Sequence, residues 1–87
     1  MSIAPVYVGI DVAKAQLEVA VRPSDERWSS ATTEADLSRL ATRLQTLQPT
    51  LIVLEATGGY EVPVVSALAA AGLPVVVVNP RPVRALA

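Results

Sequence analysis

The sequence predicts an α/β domain on a mixed β-sheet, with the element order β-β-β-α-β-α-β-α. Two observations lead to this prediction. Over the first third of the chain, apolar and polar residues alternate with the period of half-buried strands. Further on, stretches with helical spacing of apolar residues alternate with short, almost uniformly apolar runs, which is typical of helices that connect parallel strands. A length of 87 residues allows one small domain, residues 1–87, and we find no linker or repeat in it.

The first three strands are predicted from alternation. Residues 5–12 ("PVYVGIDV") form strand one, with Gly9 and Asp11 on the face opposite its valines. Residues 16–22 alternate again after a short turn, which makes strand two antiparallel to strand one. Residues 27–31 ("RWSSA") follow the turn sequence "PSDE" and are predicted as a short third strand.

A helix and a buried strand follow. Thr33 and Asp36 have the spacing of a capping box, so a helix is predicted to begin there. Leucines recur at helical spacing until Pro49 ends the helix. The run "LIVLE" at residues 51–55 is apolar up to its last residue, as expected of a strand covered on both faces.

The last elements repeat this order. A second helix is predicted from about residue 60 to 71, with Pro63 tolerated in its first turn. A second buried strand occupies residues 74–79, and Asn79 with Pro80 starts a third helix. Parallel strands need helical crossovers, so strands one, four and five should be parallel, and strands two and three should form an antiparallel edge.

The composition excludes several kinds of chemistry. The chain has no cysteine and no histidine, which rules out disulfides, thiol nucleophiles, Cys/His zinc sites and histidine-based triads. Carboxylates, lysine, tyrosine or a hard metal ion with oxygen ligands remain. The net charge is −1, and aromatic residues make up 3%, so the chain as a whole shows neither the basic nor the stacking surface typical of nucleic-acid binding.

Two carboxylates stand at the ends of apolar strands. Asp11 follows "YVGI" and Glu55 follows "LIVL". An aspartate at the end of a strand is also common in a simple turn, but a glutamate after four apolar residues is harder to explain structurally. If strands one and four are parallel neighbours, both acids emerge at the edge where α/β sheets bind ligands. They would repel each other unless they share a proton or a cation such as Mg²⁺.

Two stretches carry a family resemblance. "VGIDVAKAQLEVAV" and "VLEATGGYEVPVVSALAAAGLPVVVVNPRPVRALA" closely resemble the N-terminal domain of the DEDD-type insertion-sequence transposases, a family that includes the pilin-gene-inverting recombinases. The match is strongest over residues 6–21 and 51–86, and "EATGGYE" followed by "NPRPVR" is its most specific part. The resemblance implies a ribonuclease H-like fold of the RuvC type. It also implies DNA cutting and joining with divalent metal, Mg²⁺ or Mn²⁺, for which Asp11 and Glu55 would be catalytic, metal-binding acids.

The resemblance also implies that other catalytic residues of the family lie outside the matched segments. The family has four acids, of which the last two belong to a segment downstream of "NPRPVR", and a further domain carries a serine nucleophile. We therefore expect this chain to be a truncated N-terminal part of the catalytic domain, inactive alone. DNA is the implied partner, with a guide RNA as a further candidate. We also expect a homo-oligomer. A cytoplasmic location is expected because the sequence shows no signal peptide or membrane segment.

Three basic residues are candidate nucleic-acid contacts. Lys14 lies three residues past Asp11, although a solvated turn lysine is the simpler explanation. Arg81 and Arg84 lie at helical spacing near a predicted helix N-terminus, where phosphate can bind. Glu61 is explained by the dipole of the second helix, and Trp28 by packing on the edge strand.

Two other functions stay open. The first is a nucleotide-phosphate-binding domain of the actin and sugar-kinase type, which shares a related element order. Its first hairpin normally carries Asp followed by Gly and a hydroxyl residue, whereas this chain has "DVAKAQ", and both G-x-x-x-x-G-K-[ST] and G-x-G-x-x-G are absent. The second is a non-catalytic remnant that associates with full-length transposase through apolar surface.

Overall fold

Three strands open the fold, and two helices then alternate with two further strands. The computed structural model describes residues 4–79. Its elements are β1 (Tyr7–Val12), β2 (Gln16–Arg22), β3 (Arg27–Ala31), α1 (Glu34–Leu47), β4 (Leu51–Glu55), α2 (Glu61–Ala70) and β5 (Val75–Val78). Each agrees with its predicted counterpart to within two residues. The predicted third helix lies outside the described residues, and so do Arg81 and Arg84.

The strands form one mixed sheet in the order β3-β2-β1-β4-β5. The β1–β2 and β2–β3 pairs are antiparallel, and β1–β4 and β4–β5 are parallel. The turn between β1 and β2 is closed by the Ala13 amide, which donates to the Gln16 carbonyl at 2.8 Å. The predicted arrangement of parallel and antiparallel strands is therefore confirmed.

Helix α1 begins at the predicted cap. The Thr33 hydroxyl accepts from the Asp36 amide at 3.2 Å and donates to the Asp36 carboxylate at 2.6 Å. The hydrogen bond from the Thr33 hydroxyl, and after it the one from the Arg39 guanidinium, hold the pKa of the Asp36 carboxyl below its ordinary value. The helix ends at Gln48, which adopts a left-handed conformation with φ 51° before Pro49.

Both helices pack on the same face of the sheet. In the order β3-β2-β1-β4-β5, the crossovers from β3 to β4 and from β4 to β5 run in the same direction across the sheet. Right-handed connections in one direction place their helices on one side. The core between helices and sheet consists of Val8, Ile10, Val12, Leu17, Val19, Val21, Leu37, Leu40, Ala41, Leu44, Ile52, Leu54, Val64, Leu68 and Leu73.

The expectation that β4 and β5 are covered on both faces is wrong for the part of the chain that the structure describes. On the face away from the helices, Val53 is only half-buried, and Val76 and Val78 are exposed to 42% and 39%. Val77 lies opposite buried Leu54 on the helix side and is exposed to 42% on β5, the edge strand within residues 4–79. Because both helices lie on one side, no described element covers the other. The sequence could not predict that one face is uncovered, because a uniformly apolar run is compatible with a strand covered on one face or on both. None of the helices within residues 4–79 is long and apolar enough to cross a membrane.

Candidate metal site

The sheet face that points away from the helices carries acidic, small and a few apolar side chains, and we call it the open face. Residues two apart on a strand share a face, so the buried positions of β1, β2 and β4 define the open face by exclusion. Its members on the three central strands are Tyr7, Gly9, Asp11, Gln16, Glu18, Ala20, Arg22, Leu51, Val53 and Glu55.

Asp11 and Glu55 are neighbours on the open face. The parallel register sets Gly9 opposite Val53 and Ile10 opposite Leu54, and the next residue on each strand is the acid. Adjacent strands lie about 4.8 Å apart. Both side chains are exposed and line the same cavity. The structure therefore brings together the two acids that the sequence analysis singled out, at the carboxyl ends of adjacent parallel strands.

A third carboxylate, Glu18, lies on the other side of Asp11. The antiparallel register pairs Asp11 with Glu18, and Glu18 is exposed on the same face. Glu55, Asp11 and Glu18 thus form a line across β4, β1 and β2, which we call the carboxylate row. Glu18 was not among the predicted site residues, because only the register of the β1–β2 hairpin places it there. Counting back from a two-residue loop at Lys14 and Ala15, which sets Ala13 opposite Gln16, would have given the signal.

The donors present fit one hard cation held by two carboxylates. Within residues 4–79, no three acidic side chains converge closely enough to hold a metal ion together. Glu18 therefore lies beside the pair without completing a three-ligand site. Mg²⁺ is commonly held by one or two carboxylates, with water and phosphate oxygens as its other ligands. Asp11 and Glu55 match that donor set in chemistry and in placement.

The carboxylate row borders an open cavity of about 500 Å³ over the sheet. Besides the acids, Gly9, Ala20, Val53 and Arg27 line it. A Cβ added at Gly9 would meet no atom within 4 Å, and Gly9 does not have a positive φ. Neither packing nor backbone conformation therefore requires glycine at this position.

Glu61 fixes the loop that follows Glu55. Its Oε1 accepts from the Thr57 amide at 2.9 Å, the Gly59 amide at 3.0 Å and the Thr57 hydroxyl at 3.2 Å. The Thr57 amide contributes most to lowering the pKa of Glu61. Gly58 and Gly59 have φ of 76° and 112°, which other residues rarely adopt. Glu61 thus acts as a clamp on this loop, beyond the helix-dipole role that the sequence suggested.

The three predicted basic contacts all stay predictions. Lys14 is exposed in the turn between β1 and β2, beside a second cavity of about 390 Å³ that Asp11 and Glu18 also line. Its proposed contact with nucleic acid stays a prediction. Arg81 and Arg84 also stay predictions, because they lie outside the described residues.

Trp28 packs as expected. It is half-buried against the core, and the Cζ atom of Arg43 from α1 lies 3.6 Å from the centre of its ring. This contact joins β3 to α1 on the face opposite the cavity.

Comparisons with known proteins bear on the family and the fold. A family profile of the DEDD type (IS110), described as "Transposase", matches residues 8–87. Comparison with curated proteins gives no match. The structure of T. thermophilus RuvC in complex with Holliday junction substrate has a TM-score of 0.61 at 18% identity, covering 88% of this chain and 66% of that one. The fowlpox virus Holliday junction resolvase has a TM-score of 0.63 at 16% identity, covering 86% of this chain and 61% of that one.

These likenesses confirm the predicted RuvC-type, ribonuclease H-like fold. The chain spans less than two thirds of the length of both solved structures.

Proposed function

Because the chain belongs to the DEDD-type insertion-sequence transposase family, we propose that it forms the N-terminal part of a metal-dependent domain that cuts and joins DNA. In this proposal Asp11 and Glu55 are the first two metal-binding acids. The observation that carries it is their placement side by side on the open face, at the ends of β1 and β4. A turn aspartate without function would need no carboxylate on the neighbouring strand.

Mg²⁺ or Mn²⁺ is the proposed cofactor, and Asp11 and Glu55 would hold it. When bound, such an ion polarises a phosphate oxygen and makes bound water a better nucleophile. The chain's own contribution is to present two carboxylates on a face that no described helix covers. A nucleic acid as broad as a duplex can reach them there.

Catalysis needs more ligands than this pair. No third acid converges on Asp11 and Glu55 within residues 4–79. We therefore propose that residues 4–79 bind one ion weakly and do not cleave DNA unless further acids join the pair. The two solved structures named above are a resolvase and RuvC with a junction, so a branched or duplex DNA is the proposed substrate. A guide RNA, implied by the family resemblance, stays a prediction.

Self-association is the second candidate role. Val76, Val77 and Val78 are exposed on β5, which is the edge strand of the sheet within residues 4–79. Exposed apolar strand surface favours association. We propose that a homo-oligomer or a longer copy of the transposase covers it.

Binding of Mn²⁺ tests the metal site directly. Mn²⁺ is titrated into the wild-type chain and the variants Asp11→Asn and Glu55→Gln, and free Mn²⁺ is followed by electron paramagnetic resonance. We expect one weak site in the wild type and a loss of about tenfold or more in Mn²⁺ affinity for each variant. Mutating even the residues that hold metal ligands in place typically lowers metal affinity by about 10–100-fold. Glu26→Gln is the matched control, because Glu26 is an exposed acid in the β2–β3 turn, away from the cavity.

Two results would contradict the proposal. One is Mn²⁺ binding by Asp11→Asn and Glu55→Gln with wild-type affinity. The other is an equal loss in Glu26→Gln, which would show that the ion responds only to net charge. Circular dichroism of each variant verifies that it is folded.

A further inference from the structure

A second line of open-face residues runs beside the carboxylate row, and we call it the floor row. The register sets Gly9 opposite Val53 on β4 and opposite Ala20 on β2, and Ala20 opposite Arg27 on β3. All four line the same cavity as the acids. Gly9, Val53 and Ala20 each lie two residues, or about 6.8 Å, along their strand from an acid of the carboxylate row. Arg27 lies the same distance from the position on β3 that continues this row.

Gly9 is not explained by the fold. It lies in the middle of β1, the central strand, where glycine weakens a sheet and a β-branched residue would be favoured. The space above it is open, and its φ is accessible to any residue. A glycine in a strand often marks a place where a ligand approaches the backbone closely. With half-buried Ala20 beside it, Gly9 makes the centre of the floor row flat.

Arg27 puts a cation at the end of this flat stretch. Among residues 4–79 the ion pairs are Arg22–Asp25 and Arg39–Asp36, and Arg27 takes part in neither. It is exposed and lines the cavity. Its backbone lies two strands from Gly9, about 10 Å across the sheet. A guanidinium in this position is suited to a phosphate, which it can bind through two parallel hydrogen bonds.

We propose that the floor row is the seat of the DNA backbone next to the metal site. Gly9 and Ala20 let the sugar-phosphate chain lie against the sheet, and Arg27 binds a phosphate that neighbours the one at Asp11 and Glu55. This inference rests on the proposed function and adds the path of the DNA to it. It also accounts for DNA binding by a chain of net charge −1, because the cation faces the cavity in which the acids would otherwise repel the phosphates.

Fluorescence anisotropy of a short fluorescein-labelled DNA duplex tests this seat, with Ca²⁺ present and salt varied from about 50 to 200 mM. Arg27→Gln should weaken binding about tenfold at the lowest salt and reduce the slope of log affinity against log salt by about 0.9, the value for one phosphate contact. Gly9→Val should weaken binding at least as much, while the protein should be at least as stable as the wild type in urea. Arg39→Gln is the control, since Arg39 is paired with Asp36 on α1 and does not line the cavity.

The outcomes separate this inference from the proposed function. Wild-type affinity in both Arg27→Gln and Gly9→Val would overturn the seat and leave the metal site standing. An equal loss in Arg39→Gln would also overturn it, because the effect would then come from overall charge. Loss in only one of the two variants would overturn the role of the other residue. A wild-type chain that binds Mn²⁺ but no duplex or junction DNA would contradict the proposed function itself.

Discussion

Replacing Asp11 by asparagine should stabilise the domain when no metal is present. Asp11 lies between Glu55 on β4 and Glu18 on β2, and all three side chains are exposed on the open face. Like charges directly opposite each other on neighbouring strands destabilise a sheet. A neutral amide of the same shape removes both repulsions and leaves the backbone pairing of β1 unchanged.

The expected gain in the free energy of unfolding is about 1 kcal/mol. Two unit charges about 5 Å apart in water repel by about 0.8 kcal/mol, and physiological salt reduces this to roughly half. Two such pairs together give about 1 kcal/mol, within the range of about 0.2–1 kcal/mol for each cross-strand pair. For a domain of this size, that raises the melting temperature by about 4–8 °C.

Thermal unfolding followed by circular dichroism measures the effect, in EDTA at low and at high salt. The gain of Asp11→Asn should shrink at high salt, because the repulsion is screened. Excess Mg²⁺ should raise the melting temperature of the wild type and leave that of the variant unchanged. Glu26→Gln is again the control, because no acid lies opposite Glu26 in the described sheet.

The reasoning would be refuted by a variant that melts at or below the wild-type temperature in EDTA. A gain of equal size in Glu26→Gln would refute it too, because the stabilisation would then not depend on the carboxylate row.

Two further predictions concern the fold around the site. Glu61→Gln should be less stable than the wild type in urea at pH 7, and the difference should shrink as the pH falls below 4.5. The reason is that the folded-state pKa of Glu61 lies below its ordinary value of 4.5, so its stabilisation is present above that value and disappears as the pH falls through the folded-state pKa; a difference that did not shrink below pH 4.5 would contradict this. Leu44→Ala should cost about 2–5 kcal/mol in urea unfolding, because Leu44 is fully buried between α1 and the sheet. Leu47→Ala, at the half-buried end of the same helix, should cost clearly less, and equal costs would contradict the core assignment.

The sequence predicted those parts of the site that depend on strand ends. Asp11 and Glu55 each follow an apolar run, and the carboxyl ends of parallel strands meet at one edge. Their proximity therefore followed from topology alone. Thr33 and Asp36 likewise predicted the start of α1, because a capping box is a local pattern.

Other parts of the site depend on register or on loop conformation, which the pattern of residue types does not contain. Glu18 and Arg27 join the cavity only because of the pairing between β1, β2 and β3. The clamp by Glu61 requires left-handed backbone at Gly58 and Gly59, so it becomes visible only once the loop is built. The face of β4 and β5 that no described helix covers follows from the handedness of two crossovers, and the valines of these strands do not predict it.

The parallel pairing of β1 with β4 has a consequence for the order in which the site forms. It joins positions 44 residues apart, since Tyr7 lies opposite Leu51, whereas the β1–β2 hairpin brings Asp11 and Glu18 together across six intervening residues. Local contacts form early in folding, and contacts across a long stretch of chain form late. A chain that has formed only its hairpins therefore has Asp11 but lacks Glu55 beside it. We expect nascent and partly folded chains to bind no metal at this site, because the carboxylate pair is complete only after the helix between the two strands has docked.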